Sequence, residues 1–191
     1  MKKLIKIKNN AGMSYIELIV VLSIFAVISS VVIFNYGDFQ AKVDIKNLAS
    51  DIALQVVQAQ KSSMSGLLST LTPVSPWKPS YGVYFDMTLP KQFIYFVDLN
   101  NAYGYEPGET LNTISITKNN YIYRIDKCTN ITCTSPSSVS AFSVVFKRPD
   151  SSAIFTGVSV ASSEYIQITI KSPKGVTSLI QLYPSGRVQV N

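Results

Sequence analysis

From Leu18 to Tyr36 the chain runs for 19 residues without a charge, a proline or a glycine. As a helix rising 1.5 Å per residue this run spans about 28 Å, which matches the hydrocarbon thickness of a bilayer. Immediately before it stands Glu17, the only acid in the first 36 residues. A carboxylate within an apolar span costs about 2.5 to 3.5 kcal/mol on insertion scales, so it marks a functional position by default. Ahead of Glu17, residues 1–12 carry Lys2, Lys3, Lys6 and Lys8 and no acid. Those lysines stay on the cytoplasmic side by the positive-inside rule, so everything after Gly37 is expected to be exported.

The same lysines account for most of the basic character. The formal charge is +6, but without Lys2, Lys3, Lys6 and Lys8 the chain keeps 13 basic and 11 acidic residues. A net of +2 over the remainder is a weak basis for a polyanionic partner. The chain has no histidine, which removes the commonest general base and metal ligand and any Ser/His or Cys/His nucleophile system. No catalytic constellation remains to be named, and the chain is read as a non-enzyme. Cys128 and Cys133, in CTNITC, are spaced for a small disulfide-closed loop and not for a four-ligand zinc site. A disulfide requires an oxidising, extracytoplasmic location; two reduced structural cysteines are the alternative.

Beyond Gly37 there is no proline until Pro73. Phe39, Val43, Ile45, Leu48, Ile52, Val56 and Ala59 recur at mostly three- and four-residue spacings, between Asp44, Lys46, Asp51, Gln55 and Gln58. That pattern predicts one continuous helix, apolar all round over 13–36 and one-faced amphipathic over 37–66. Residues 67–80, with Pro73, Pro76 and Pro79, read as a linker. Residues 81–191 then read as short β segments at 81–86, 93–98, 113–116, 121–125, 142–148, 153–160, 165–171 and 176–183, closing in RVQV. Asn119-Asn120, Pro149-Asp150, Pro173-Lys174-Gly175 and Pro184-Ser185-Gly186 supply turn chemistry between them. The expected fold class is α+β: a long N-terminal helix whose amphipathic half packs on an antiparallel sheet.

Ala11-Gly12 followed by Met13-Ser14-Tyr15-Ile16-Glu17-Leu18 resembles the processing site of type IV prepilins. Met13, Ser14 and Tyr15 stand where that family usually has phenylalanine, threonine and leucine. The resemblance implies a pilin-like fold, cleavage by a prepilin peptidase after Gly12 with loss of leader 1–12, and N-methylation of Met13. The apolar helix would be retained, unlike the core of a secretory signal peptide. It implies an inner-membrane, single-pass subunit with an extracytoplasmic C-terminal domain. That subunit would later join other pilin or pseudopilin subunits in the filament of a pilus or type II secretion system. Glu17 would pair with the Met13 amine of a neighbouring subunit. A plain capping box, with Ser14 and Glu17 satisfying the first turn, is the rival reading, and a simple signal anchor is another.

Weaker constellations follow. Asp98, Asn100, Glu106 and Glu109 fall at positions one, three, nine and twelve of a loop, the arrangement of a calcium site, with Ala102 and Tyr103 departing at positions five and six. The rival there is a solvated hairpin loop. The layout of YGVYF, FVDLNNAYGYEPGETL, VVFKRP and SGRVQV loosely resembles the globular part of minor pseudopilins and pilins of the GspH and FimT types. Some FimT-like pilins carry a Gly-Arg-x-Arg motif that binds DNA. Here Gly186 and Arg187 match and Gln189 replaces the second arginine. With Lys171 and Lys174 expected nearby, a weak nucleic-acid edge is the alternative function, a pilus-tip module for DNA uptake.

Overall fold

The computed structural model describes residues 12–69, 71, 79–129 and 133–191; the lysine leader 1–11, residues 70 and 72–78 of the linker, and the Asn130–Thr132 sequon lie outside the described residues. The chain divides into two units, residues 1–40 and 41–191. Helix α1, Tyr15–Ser65, runs through the boundary. Its first backbone bond joins the Leu18 N–H to the Ser14 carbonyl at 3.1 Å, which makes Ser14 the N-cap residue. It ends on Gly66, whose φ of 62° is in the left-handed region. The Leu67 N–H reaches the Ser62 carbonyl and the Gly66 N–H the Ser63 carbonyl, each at 3.1 Å. These two bonds are the Schellman pattern that satisfies the last carbonyls of a helix.

Within the first unit the large apolar side chains from Tyr15 to Ile33 are exposed. Within the second unit the helix buries one stripe: Ile45, Ala49, Ile52, Val56 and Ala59. The alternating four- and three-residue steps keep these on one face, and each fully buried isoleucine contributes about 1.5 to 3 kcal/mol. Ala49 belongs to this stripe although the sequence pattern did not single it out. Phe39, counted on the packing face from sequence, is 64% exposed. The stripe ends on two buried serines that fasten the helix to the sheet. The Tyr81 N–H donates to Ser63 Oγ at 2.8 Å, and the Tyr95 hydroxyl donates to Ser62 Oγ at 3.1 Å.

The strands are β1 Ser80–Asp86, β2 Gln92–Asp98, β3 Thr110–Ser115, β4 Tyr121–Cys128, β5 Ser137–Ser138, β6 Ala141–Phe146, β7 Ala153–Thr156, β8 Tyr165–Lys171, β9 Thr177–Leu182 and β10 Val188–Val190. They form two five-stranded antiparallel sheets, ordered β3-β2-β1-β6-β7 and β10-β9-β8-β4-β5. The single sheet expected from sequence is thus two. A twisted open sheet near ten strands tends to curl or split, and here the chain changes sheet after β3, after β5 and after β7. The first change is made by a tight turn. Asn120 N–H donates to the Thr117 carbonyl at 3.2 Å while Lys118 and Asn119 take φ of 58° and 56°. These are the central residues of a type I′ turn, one position earlier than Asn119-Asn120 suggested.

One core unites the pieces. Tyr81, Val83 and Phe85 of β1, Phe93, Tyr95 and Val97 of β2, and Phe142, Val144 and Phe146 of β6 alternate with residues on the opposite face. They join Ile122, Ile125, Ile166, Ile168, Ile170, Ile180 and Leu182 of the second sheet and the stripe of α1. Phe85 stacks on both Phe93 and Phe142 at 5.6 and 5.2 Å between ring centres.

Candidate functional site

Helix α1 places Glu17 in its first turn, where the helix dipole favours a negative charge. Gly12 and Met13 precede the helix, both exposed, and a side chain at Gly12 would meet nothing within 4 Å. The capping box allowed by Ser14 and Glu17 is not formed among the described residues: the Ser14 carbonyl accepts the first helical bond, but neither the Ser14 hydroxyl nor the Glu17 carboxylate accepts a backbone N–H of the first turn. Among the described residues the Glu17 carboxylate has no hydrogen-bond or ion-pair partner. From Leu18 onward the helix is long and apolar enough to cross a membrane.

The stretch read as a calcium loop closes on itself instead. Asp98 is fully buried; its two oxygens accept the backbone N–H groups of Ala102 and Tyr103 at 3.2 and 3.1 Å. Glu109, also buried, accepts from the N–H of Leu99 at 2.9 Å and of Glu106 at 3.1 Å. Asn100 donates its amide to Glu106 at 2.9 Å and accepts the Ala102 N–H at 2.9 Å. A cation needs oxygens converging on an empty centre, whereas here the oxygens converge on N–H dipoles whose positive ends occupy the same directions. Asp98, Asn100, Glu106 and Glu109 thus spend their oxygens on hydrogen bonds within the loop. Among the described residues no group of three acidic, cysteine or histidine side chains could hold a metal.

What this loop does is cover the outer face of the first sheet. Tyr105 stacks on Tyr84 at 4.9 Å and meets Phe96 edge-on at 5.5 Å, and its N–H donates to Ser143 Oγ at 3.1 Å. The Thr156 hydroxyl donates to the Tyr103 carbonyl, and the Lys147 ammonium lies 5.2 Å from the Tyr103 ring. Burial pushes the Asp98 and Glu109 carboxyls above the usual carboxylate range, against the pull of the backbone N–H groups. A folded pKa above the unfolded one gives stability that is present below the unfolded pKa and lost as pH rises through the folded value. Asp86 acts oppositely: burial raises it, but bonds from the Thr88 backbone and hydroxyl and from Tyr84 bring it below the usual range. The Glu109 contribution is isolated by difference. Thermal unfolding of the full chain in detergent should show wild type losing stability relative to Glu109→Gln as pH rises from about 3 to 7; a constant difference would refute the assignment.

Arg187 and Lys174 are not brought together. Lys174 lies in the Ser172–Gly175 turn before β9, and Arg187 in the hairpin after it, where Tyr183 N–H donates to the Arg187 carbonyl at 3.0 Å. The six residues of β9 separate them by about 20 Å. The Arg187 guanidinium lies 3.9 Å over the Tyr183 ring, and the Lys171 ammonium 4.7 Å over Tyr123. Each cation is thus held on its own aromatic face, and no phosphate-spaced row forms from these residues. Gly186 has its own reason to be glycine: its φ is 81°, and a Cβ would collide with the Ser151 carbonyl and the Gln60 amide.

Cys128 and Cys133 form a disulfide, with Cα atoms 4.9 Å apart. Closing so short a loop is worth about 2 kcal/mol in the chain-entropy account. No known family, curated protein or solved structure matches this chain.

Proposed function

We propose that this chain is a type IV pilin-like subunit, a minor pilin or pseudopilin. A prepilin peptidase cuts it after Gly12, its new N-terminus at Met13 is methylated, and it passes from the inner membrane into an extracytoplasmic filament. The observation that carries this reading is Glu17, an acid without a partner among the described residues, at the start of a helix whose apolar side chains are exposed on every side. Exposed apolar surface of that length requires non-aqueous surroundings. A bilayer supplies them before assembly and neighbouring helices supply them afterwards.

Cleavage creates the missing cation. A carboxylate held unpaired in low dielectric is costly, and pairing it with an amine offsets that cost. The Met13 amine lies four positions from Glu17 within one chain and recurs on every neighbour. The disulfide agrees with an oxidising compartment for the β domain. Gly12→Ala is the direct test: wild-type chain extracted from membranes should begin at methylated Met13 by intact-mass and N-terminal mass spectrometry, and the variant should retain residues 1–12. The same intact N-terminus in both would defeat the proposal.

A further inference from the structure

Each sheet ends in two edge strands whose outer sides carry backbone groups without a strand partner, and three of these four edges are blunted. β5 has two residues and β10 three. β7 has four, and its Ala153 N–H is taken by the Pro184 carbonyl at 2.9 Å. Short or covered edges are how sheets avoid pairing with other chains. The fourth edge, β3, has six residues, and the stretch 110–117 contains no charge and no proline. Asn112, Thr113 and Ser115 are exposed on it.

The register shows which groups face outward. Asn112 pairs with Tyr95 and Ile114 with Phe93, and the Ile116 N–H donates to the Lys91 carbonyl at 2.7 Å. Backbone groups alternate sides along an antiparallel strand, so residues 112, 114 and 116 bond to β2 while the N–H and C=O of Thr113 and Ser115 point away from the sheet. Among the described residues no strand lies on that side. We infer that this edge pairs, antiparallel, with β3 of a second copy of the chain, joining their first sheets into one. Such pairing needs a strand of matching length, and the edge of this chain that matches β3 is β3 itself. With no charge between 110 and 117, two copies approach without repulsion. A two-fold axis at Thr113 sets that residue against its counterpart, where the two exchange both backbone bonds. Their side chains then meet on the face opposite Ile114, which packs on the core. A six-residue edge falls short of the roughly 1,200 Å² that a stable interface buries, so the pair forms between copies concentrated in one membrane by α1. In this the inference rests on the anchored subunit proposed above. An isologous contact closes on two copies, which assigns the pair to the membrane stage before filament entry.

The test is a disulfide across the edge. Full-length chain carrying Thr113→Cys is expressed, and its membranes are run on non-reducing gels. Cα atoms of a hydrogen-bonded antiparallel pair lie about 5.5 Å apart, within the roughly 4.4 to 6.8 Å that a disulfide spans. Cys128 and Cys133 are bonded to each other, so the introduced thiol is the free one. A dimer band about tenfold stronger than that of Ser162→Cys, at an exposed loop position, is expected. Mass spectrometry should place the bond between position 113 of both copies. Ser115→Pro in the same background removes an outward N–H and no bond to β2, so it should weaken the band about tenfold at an unchanged melting temperature. Ser115→Lys leaves the backbone intact, adds a charge to the edge and should weaken the band as well, which keeps the test decisive where proline disturbs the fold. A band no stronger than that of Ser162→Cys, a band unchanged by Ser115→Lys, or an adduct of position 113 to a different protein overturns the self-pairing. A cross-linked dimer recovered from the soluble fraction would instead refute the anchored reading and leave the strand pairing standing.

Discussion

Replacing Glu17 with alanine is expected to leave the chain inserted in the membrane and remove it from sheared filaments. Insertion should not suffer, because the variant no longer places a carboxylate within the apolar span, a change worth about 2.5 to 3.5 kcal/mol in its favour. Assembly should suffer in proportion to what the pairing contributes. Breaking a buried ion pair by removing one partner costs about 3 to 5 kcal/mol, which is more than 100-fold in an association constant. Glu17→Gln tests charge separately from shape: a neutral amide of the same size should assemble nearly as poorly as alanine. Incorporation of either variant at the wild-type level, measured by immunoblot of sheared filaments against membrane fractions, would remove Glu17 from the assembly mechanism. The Glu17 carboxylate accepts no first-turn backbone N–H among the described residues, which sharpens the comparison, since neither variant removes a helix cap.

The elements that were legible in the sequence are those set by local chemistry. Glycine at 66, absence of proline before 73 and the spacing of Ile45, Ile52, Val56 and Ala59 fix a helix with a buried stripe and a defined end. Alternation in YGVYFD and YIQITIK marks strands whose bounds the structure shifts by a residue at most. What the pattern does not carry is pairing. Nothing local in β4 states that Asp126 faces Gln167 of β8, or that β6 lies beside β1, so the division into two sheets was out of reach. The same gap explains Lys174 and Arg187. They are thirteen positions apart in the chain, and only the register of β9 against β8 and β10 shows that they occupy opposite ends of a strand. For the loop read as a calcium site, residue type and spacing give the positions of oxygens but not the groups they point at, which here include backbone N–H groups of the same loop.

The loop over the first sheet offers the largest effect on stability. Asp98 is fully buried, and it accepts backbone N–H groups from the residues that follow it, among them Ala102 and Tyr103. Asp98→Ala removes the acceptor and leaves the part-buried Tyr103 N–H without it, while the Ala102 N–H keeps Asn100 Oδ1 at 2.9 Å. Each hydrogen bond to a charged group is worth about 1.5 to 3 kcal/mol, and each stranded donor adds its desolvation cost. Even though the N–H groups compete with one another and the carboxyl is held above its usual range by burial, a loss of about 3 to 5 kcal/mol is expected. For a domain of this size that lowers the melting temperature by about 10 °C or more. The damage should be local before it is global: Tyr105 leaves Tyr84 and Phe96, so a ring that is now fully buried, Phe96, becomes reachable to solvent. Hydrogen exchange should accelerate across residues 99–109 and the outer edge of β1 and β2 while the buried stripe of α1 keeps its protection. Asp98→Asn, which preserves one acceptor oxygen, should fall between wild type and alanine. If Asp98→Ala instead melts within about 2 °C of wild type with unchanged exchange in the loop, the carboxylate is not what holds the loop in place.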